Sequence, residues 1–158
     1  MRALKSLRIR ILKHLKIISP QLKLPYLLLA DADADRRDSF IAVFENHVAY
    51  ATVSTVDDGQ SFLSFLAGCG WKDLPSLIIL NYQLPDMTAP NILRELLTDP
   101  RYMSIPKLVW VPTSEKKEIE ECRILGVKHF LKFPVDTFEF ESEVRIIDGL
   151  LKTELNLL

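Results

Sequence analysis

The stretch 76-SLIILNYQLPD-86 decides the fold prediction. Residues 76–80 read as a short strand, and the uninterrupted apolar run within it is typical of a strand buried on both faces of a sheet. Asn81 follows directly, and the polar turn after it contains Pro85, so the strand is expected to stop at Asn81. Asn81 is therefore expected where a buried strand opens into a loop.

Other strand-like stretches, several of them apolar on consecutive residues, recur along the chain and alternate with segments of helical periodicity. Strands are predicted at residues 26–30, 48–55, 76–80, 107–111 and 127–133. Helices are predicted at residues 33–47, 58–70, 89–99, 114–126 and 136–155. This alternation predicts an α/β domain with a single five-stranded parallel sheet flanked by helices. In such sheets ligands bind beyond the carboxyl ends of the strands.

Length and composition indicate one soluble globular domain. The chain has 158 residues, of which 48% are hydrophobic and 26% charged, and its net charge is −1. Bulk charge therefore gives no support to nucleic-acid binding. Cys69 and Cys122 lie far apart, which favours free thiols in a reducing cytoplasm over a disulfide or zinc site. No apolar run is long enough to span a membrane or to form a secretory signal, so a cytoplasmic location is expected.

Residues 1–24 form a basic amphipathic extension, and residues 25–158 are expected to form the domain. The extension holds seven of the 20 Lys/Arg and no acid, which leaves 13 basic and 21 acidic residues in the remainder. Its apolar residues follow helical spacing until Ser19-Pro20. Four interpretations stay open: contact with an anionic membrane, contact with an acidic partner, a helix packed on the domain, and an extension without a role.

Residues 26–152 resemble the receiver domain of two-component response regulators, of the chemotaxis (flavodoxin-like) type. The resemblance is carried by the stretches LLLADADAD, LIILNYQLPDMTAPNILREL, IPKLVWVPTS and LGVKHFLKFPVDTFEFESEV. Asn81 stands at the family's phosphoacceptor position. Val111 and Phe133 follow it by 30 and 52 residues, which are the family's separations to its hydroxyl residue and its lysine.

The phosphorylation chemistry of that family needs groups that this sequence lacks. An amide such as that of Asn81 is a poor nucleophile, whereas the family uses a carboxylate. Asp31 matches the first of two adjacent acids, but the second, a Mg²⁺ ligand, is Ala32. Val111 has no hydroxyl, and Phe133, followed by the expected Pro134, has no ammonium group. Four departures together indicate a degenerate site.

Neighbouring residues do not obviously replace the missing groups. Asp33 and Lys132 are each displaced by one residue from the acid and lysine positions, so both are expected to point away. Thr113 and Ser114 could imitate the hydroxyl, although an N-cap for the next helix is favoured. A Mg²⁺ site from Asp31, the Asn81 amide and the Gln83 carbonyl would be weak. The sequence therefore predicts a more neutral, apolar pocket without Mg²⁺ or another cofactor.

The leading functional hypothesis is a pseudo-receiver: a non-enzymatic phosphorelay signalling module that acts by protein–protein interaction without aspartyl phosphorylation. The resemblance implies a partner surface on helix four, strand five and helix five. The residues expected there are Lys116, Lys117, Glu120, Lys128, Phe130 and Lys132. A histidine kinase or a downstream effector is the expected partner, and a homodimer could use the same surface.

Two alternatives stay open. One is an atypical receiver that is phosphorylated on Asp31 or Asp33, with Lys132 reoriented. The other is a sensor that binds a small ligand in the neutralised crevice, and the position of Phe133 distinguishes it.

Overall fold

The computed structural model describes residues 23–112 and 116–157, together with residues 7, 10, 11 and 14. Within the two long ranges, five strands alternate with five α-helices. The strands are β1 (Tyr26–Ala30), β2 (Thr52–Val56), β3 (Leu77–Asn81), β4 (Lys107–Val111) and β5 (His129–Lys132). The α-helices are α1 (Ala34–His47), α2 (Gly59–Ala67), α3 (Ala89–Leu96), α4 (Lys116–Ile124) and α5 (Thr137–Glu154). This confirms the predicted α/β architecture.

All five strands are parallel and form one sheet in the order β2-β1-β3-β4-β5. The chain runs from β1 to the edge at β2, then crosses to β3 on the other side of β1. The strand order therefore reverses between β1 and β3. Open α/β sheets form their ligand crevice beyond the carboxyl ends of the strands at such a point.

Helices cover both faces of the sheet, which explains the uninterrupted apolar strands. On one face Leu28 and Ile78 pack with side chains of α2, α3 and α4. On the other face Leu27 and Ile79 pack with α1 and α5. All four of these strand residues are inaccessible to solvent. Burying each such side chain contributes about 1.5–3 kcal/mol, so neither helix layer could be removed without unfolding the sheet.

The loop after Asn81 is held against the start of α2. The two carboxylate oxygens of Asp86 accept hydrogen bonds from the backbone N–H groups of Gly59 and Gln60, each at 2.8 Å. The Gly59 hydrogen bond in particular holds the pKa of the Asp86 carboxyl below its usual value. A Cβ at Gly59 would lie 2.3 Å from Cγ of Met87, so the close approach of this loop requires glycine.

Several element boundaries differ from those predicted. β2 is Thr52–Val56 and not residues 48–55, because Val48 ends α1, where its N–H donates to the Phe44 carbonyl at 2.8 Å. β5 is restricted to His129–Lys132 instead of residues 127–133. β3 includes Asn81 as its last residue. Helices α2 and α3 end earlier than their sequence patterns suggest, at residues 67 and 96.

Most of the basic extension lies outside the described residues. Leu7 and Ile11, which belong to its apolar stripe, are exposed. Among the described residues, no helix combines the length and the apolar character needed to cross a bilayer. The role of residues 1–24 stays a prediction.

A buried acid connects α5 to the sheet. Glu143 is only 8% exposed, and its Oε2 accepts a hydrogen bond of 2.9 Å from Nε1 of Trp110. Burial raises the pKa of Glu143 to about 8, against the opposing effect of the Trp110 hydrogen bond. The carboxyl is thus mostly protonated at neutral pH.

This acid should make the stability of the protein depend on pH. Between the unfolded pKa of 4.5 and the folded pKa of about 8, the native state binds the proton and the unfolded state does not. The contribution of Glu143 to the unfolding free energy should therefore fall as pH rises, by up to about 1.4 kcal/mol per pH unit. Glu143→Gln keeps an acceptor for Trp110 and removes the titration.

Urea unfolding at about pH 5.5 and about pH 7.5 measures the effect. From the lower to the higher pH, the unfolding free energy of Glu143→Gln should increase by about 2 kcal/mol relative to that of the wild type, because only the wild type loses the contribution of the bound proton. Glu95→Gln, at an exposed position on α3, is the matched control and should show no such increase. Parallel pH profiles for the wild type and Glu143→Gln would contradict the assignment.

Candidate functional site

The described positions that the strand pattern singled out lie together at the carboxyl ends of the strands. Asp31 follows β1, Asn81 ends β3, Val111 ends β4, and Phe133 follows β5. Backbone hydrogen bonds hold these ends together: Tyr82 N–H donates to the Trp110 carbonyl at 2.9 Å, and Phe133 N–H donates to that of Val111 at 3.3 Å. The parallel topology therefore gathers the candidate residues into one crevice.

Asp31 is completely buried and is paired with an arginine. Arg36, in the first turns of α1, forms a forked contact in which Nε donates to Oδ2 of Asp31 and Nη2 donates to Oδ1 at 3.0 Å. The hydrogen bonding of Arg36 to Asp31 raises the pKa of the guanidinium above its usual value. A forked arginine–carboxylate pair is among the stronger polar contacts in proteins. The buried carboxylate thus has an internal cation.

The same arginine lies over the aromatic ring at the family's lysine position. The Cζ atom of Arg36 is 4.2 Å from the centroid of the Phe133 ring, a distance typical of a cation–π contact. Arg37 adds a hydrogen bond of 2.6 Å from Nη1 to the backbone carbonyl of Asp31. The pocket is thus charge-balanced, as expected of a more neutral site, but it is not apolar throughout, because it contains the Asp31–Arg36 ion pair stacked on Phe133.

Asn81 has partners at both ends of its amide. Its Oδ1 accepts from the backbone N–H of Gln83 at 3.0 Å, and its Nδ2 donates to Oδ1 of Asp31 at 3.3 Å. The residue is 5% exposed. The amide NH₂ can donate to the neighbouring carboxylate, whereas an ionised aspartate at position 81 would place two like charges together.

The remaining positions have structural environments. Ala32 is exposed beside the crevice, and Val111 is buried in the core under α3 and α4. Asp33 is the N-cap of α1, with its Oδ1 accepting from the Arg36 N–H at 2.9 Å. Pro134 is buried after Phe133. Thr113 and Ser114 lie outside the described residues.

These residues do not fit a Mg²⁺ site. Mg²⁺ requires oxygen ligands in near-octahedral geometry, and both carboxylate oxygens of Asp31 are engaged by Arg36. The amide oxygen of Asn81 is engaged by the Gln83 N–H, and the side chain of Gln83 donates to the Leu84 carbonyl at 3.0 Å. The part of the chain that the structure describes contains no group of three or more His, Cys, Asp or Glu residues suited to a metal.

The expected partner surface has mixed accessibility. Its lysines and acid are exposed: Lys116, Lys117, Glu120, Lys128 and Lys132. Phe130 is only half-exposed, and the guanidinium of Arg123 lies 5.8 Å from its ring centroid. The larger exposed apolar side chains of this region are instead Ile124, Val135 and Phe138, at 78%, 82% and 76% exposure. These three residues were not singled out from the sequence.

Arg36 is the functional-site residue that the sequence analysis missed. A usable signal existed, because a buried Asp31 without its metal ligands and lysine still needs a cation, and Arg36 and Arg37 follow it in the next turn. Glu143 was missed as well, since it lies in the charged stretch 139-EFESE-143, which appears exposed.

Comparison with known proteins gives a consistent result. No family model matches the chain. The response regulator PleD of Caulobacter vibrioides is 29% identical over 112 residues, which cover 66% of this chain and 24% of PleD. The two-component response regulator ARR5 of Arabidopsis thaliana is 27% identical over 146 residues, which cover 87% of this chain and 76% of ARR5. The chain thus spans about a quarter of PleD and most of ARR5.

Solved structures show the same fold. The phosphorylated cyanobacterial phytochrome response regulator RcpA superposes with a TM-score of 0.70 at 20% identity, covering 86% of this chain and 97% of RcpA. The chain therefore has the fold of these response regulators, and the curated proteins that it resembles at 26–29% identity are themselves response regulators.

Proposed function

We propose that this chain is a receiver-type signalling module that acts through protein–protein contacts without phosphorylation of its own aspartates. The observation that carries the proposal is the guanidinium of Arg36 bound to both carboxylate oxygens of Asp31. In a working receiver, Mg²⁺ and a lysine neutralise the acids and the transferred phosphoryl group. Here the guanidinium of Arg36 supplies the positive charge beside Asp31.

The substitutions at the other positions are consistent with this internal cation. Asn81 removes the carboxylate that would attack phosphorus, and its NH₂ group donates to Asp31. Phe133 replaces a second cation by an aromatic surface on which Arg36 stacks at 4.2 Å. A lysine at position 133 would instead bring a like charge close to Arg36. Together the groups make a closed, charge-balanced arrangement.

The atypical phosphorylated receiver receives less support. Asp31 would have to lose the Arg36 contact before it could attack a phosphodonor, and it is inaccessible to solvent. Asp33 is exposed, but its carboxylate caps α1 and accepts from the Arg36 N–H. A ligand sensor in the crevice itself is also disfavoured, since Arg36 and Phe133 occupy it.

The partner surface that we propose comprises the exposed parts of α4, β5 and the start of α5. Val135 and Phe138 are large apolar side chains in solvent, and α4 and β5 with the residue before it carry four exposed lysines, whereas Asp136 and Glu139 are exposed beside Phe138 in sequence. Exposed apolar residues with a charged rim are typical of protein interaction sites. A partner with an apolar anchor and acidic surroundings, whether a kinase, an effector or a second copy, would match it.

The full chain should not be modified by small phosphodonors. Incubation with acetyl phosphate and Mg²⁺ should leave its intact mass unchanged, because Asn81 replaces the attacking carboxylate, Asp31 is buried against Arg36, and Asp33 caps α1. Beryllofluoride with Mg²⁺ should likewise cause no chemical-shift changes in the crevice. Asn81→Asp alone should also stay unmodified, since the second acid, the hydroxyl and the lysine are still missing.

A positive control can be built in the same chain. It combines Ala32→Asp, Asn81→Asp, Val111→Thr and Phe133→Lys with Arg36→Ala, which supplies the missing groups and removes the internal cation. This variant should respond to the phosphodonor. A stable adduct on Asp31 or Asp33 of the wild type, located by peptide mapping, would favour the atypical receiver instead.

The Asp31–Arg36 pair should stabilise the fold and exclude divalent cations. Arg36→Met leaves a buried carboxylate without its cation and should cost about 2 kcal/mol of unfolding free energy, a value reduced by the partial exposure of Arg36. Adding Asp31→Asn should recover much of that loss. Mg²⁺ should raise the melting temperature of Arg36→Met and leave that of the wild type unchanged.

Arg94→Met is the control that tests whether the loss of any ion pair would destabilise the protein as much as Arg36→Met does. Arg94 pairs with Glu121 at 2.6 Å but is 53% exposed, so its loss should cost only about 0–1 kcal/mol. Equal losses for the two variants, or a wild-type melting temperature that rises with Mg²⁺, would refute the role given to Arg36.

A further inference from the structure

An open cavity of about 380 Å³ lies between the ends of β4 and β5 and the first turns of α5. Asp31 and Arg36 do not line this cavity, although Phe133, which contacts Arg36, does. Its lining consists of Pro112, Lys132, Phe133, Val135, Glu139, Ser142 and Glu143. The volume is within the range of small-molecule sites.

The cavity is lined by more acidic than basic side chains. Glu143 is the buried group, and its Oε2 accepts from the Trp110 indole at 2.9 Å. Glu139 is exposed, with Oε2 accepting from the Val135 N–H at 2.8 Å, and the Ser142 hydroxyl donates to the Phe138 carbonyl at 3.0 Å. Lys132 is exposed and has no ion pair among residues 23–112 and 116–157. Two carboxyl groups thus face one ammonium group.

We propose that this cavity binds a small organic ammonium ion, with Glu143 as its counter-ion. The buried carboxyl can ionise readily only if a cation comes close, so a positively charged ligand gains more there than a neutral or anionic one. Phe133, Val135 and Pro112 provide an apolar surface for a short alkyl chain. Lys132 can turn into solvent on its flexible side chain, which removes its repulsion.

The proposal requires that binding and protonation be linked. The Trp110 indole from β4 donates to Glu143, Glu139 from α5 raises its pKa by charge repulsion, and Lys132 from β5 lines the same cavity. From α1, the guanidinium of Arg36 stacks on Phe133 of the cavity lining. A bound ammonium ion ionises the Glu143 carboxyl and releases its proton to solvent. Affinity for the ligand should therefore increase as pH rises toward about 8.

The sequence has two tryptophans, Trp71 and Trp110. The test uses the full chain with the substitution Trp71→Phe, so that the fluorescence comes from Trp110 alone. The probe is n-butylammonium chloride, and 1-butanol is its neutral counterpart. The ammonium ion should change the Trp110 fluorescence in a saturable way, more tightly at higher pH, and 1-butanol should bind more weakly. Calorimetry in buffers of different ionisation enthalpy should detect the released proton.

Glu143→Gln should weaken binding of n-butylammonium by about tenfold or more, because the carboxylate is lost while its size and its Trp110 contact remain. Glu141→Gln, on the same helix but outside the cavity lining, should bind like the parent. Equal binding of 1-butanol, unchanged binding in Glu143→Gln, or the absence of a saturable signal would each overturn the proposal.

Discussion

A buried carboxylate must have a cation or lose its charge, and the crevice of this protein is organised around that constraint. Asp31 directly follows strand β1 and is inaccessible to water. Arg36 meets the requirement with a forked contact. The ring of Phe133 packs against the same guanidinium, with 4.2 Å between Cζ of Arg36 and the ring centroid. Asn81 then donates to the same carboxylate. Each of these residues is suited to the charge beside it, so the departures from the receiver pattern form one consistent set.

The parallel sheet determines where these crevice residues come together. Because all five strands are parallel, their carboxyl ends meet at one edge, and residues far apart in sequence become neighbours there. Helices α1 and α5 pack on one face, which places the first turn of α1 beside Asp31 and the first turns of α5 beside the ends of β4 and β5. The crevice and the adjacent cavity are both consequences of this packing.

The sequence predicted the scaffold well because its signals are local. The apolar runs of β1, β3 and β4, the helical periodicity between the strands, and the spacing from Asn81 to Val111 and Phe133 were all visible in the printed residues. The direction of a long side chain was not visible. Arg36 could equally have pointed into solvent from the first turns of α1, and only the packed structure shows that it turns toward Asp31. Glu143 was hidden for a related reason, since it becomes buried only when α5 packs against Trp110.

The covalent attachment of Arg36 has a further consequence. A metal ion reaches its site from solution, so its occupancy depends on the free concentration of the ion and on competing chelators. A guanidinium in the first turns of α1 has a fixed and high effective concentration at Asp31, which no change in the medium can dilute. The charge balance of this crevice is therefore a property of the chain itself, and it is set once, when the domain folds.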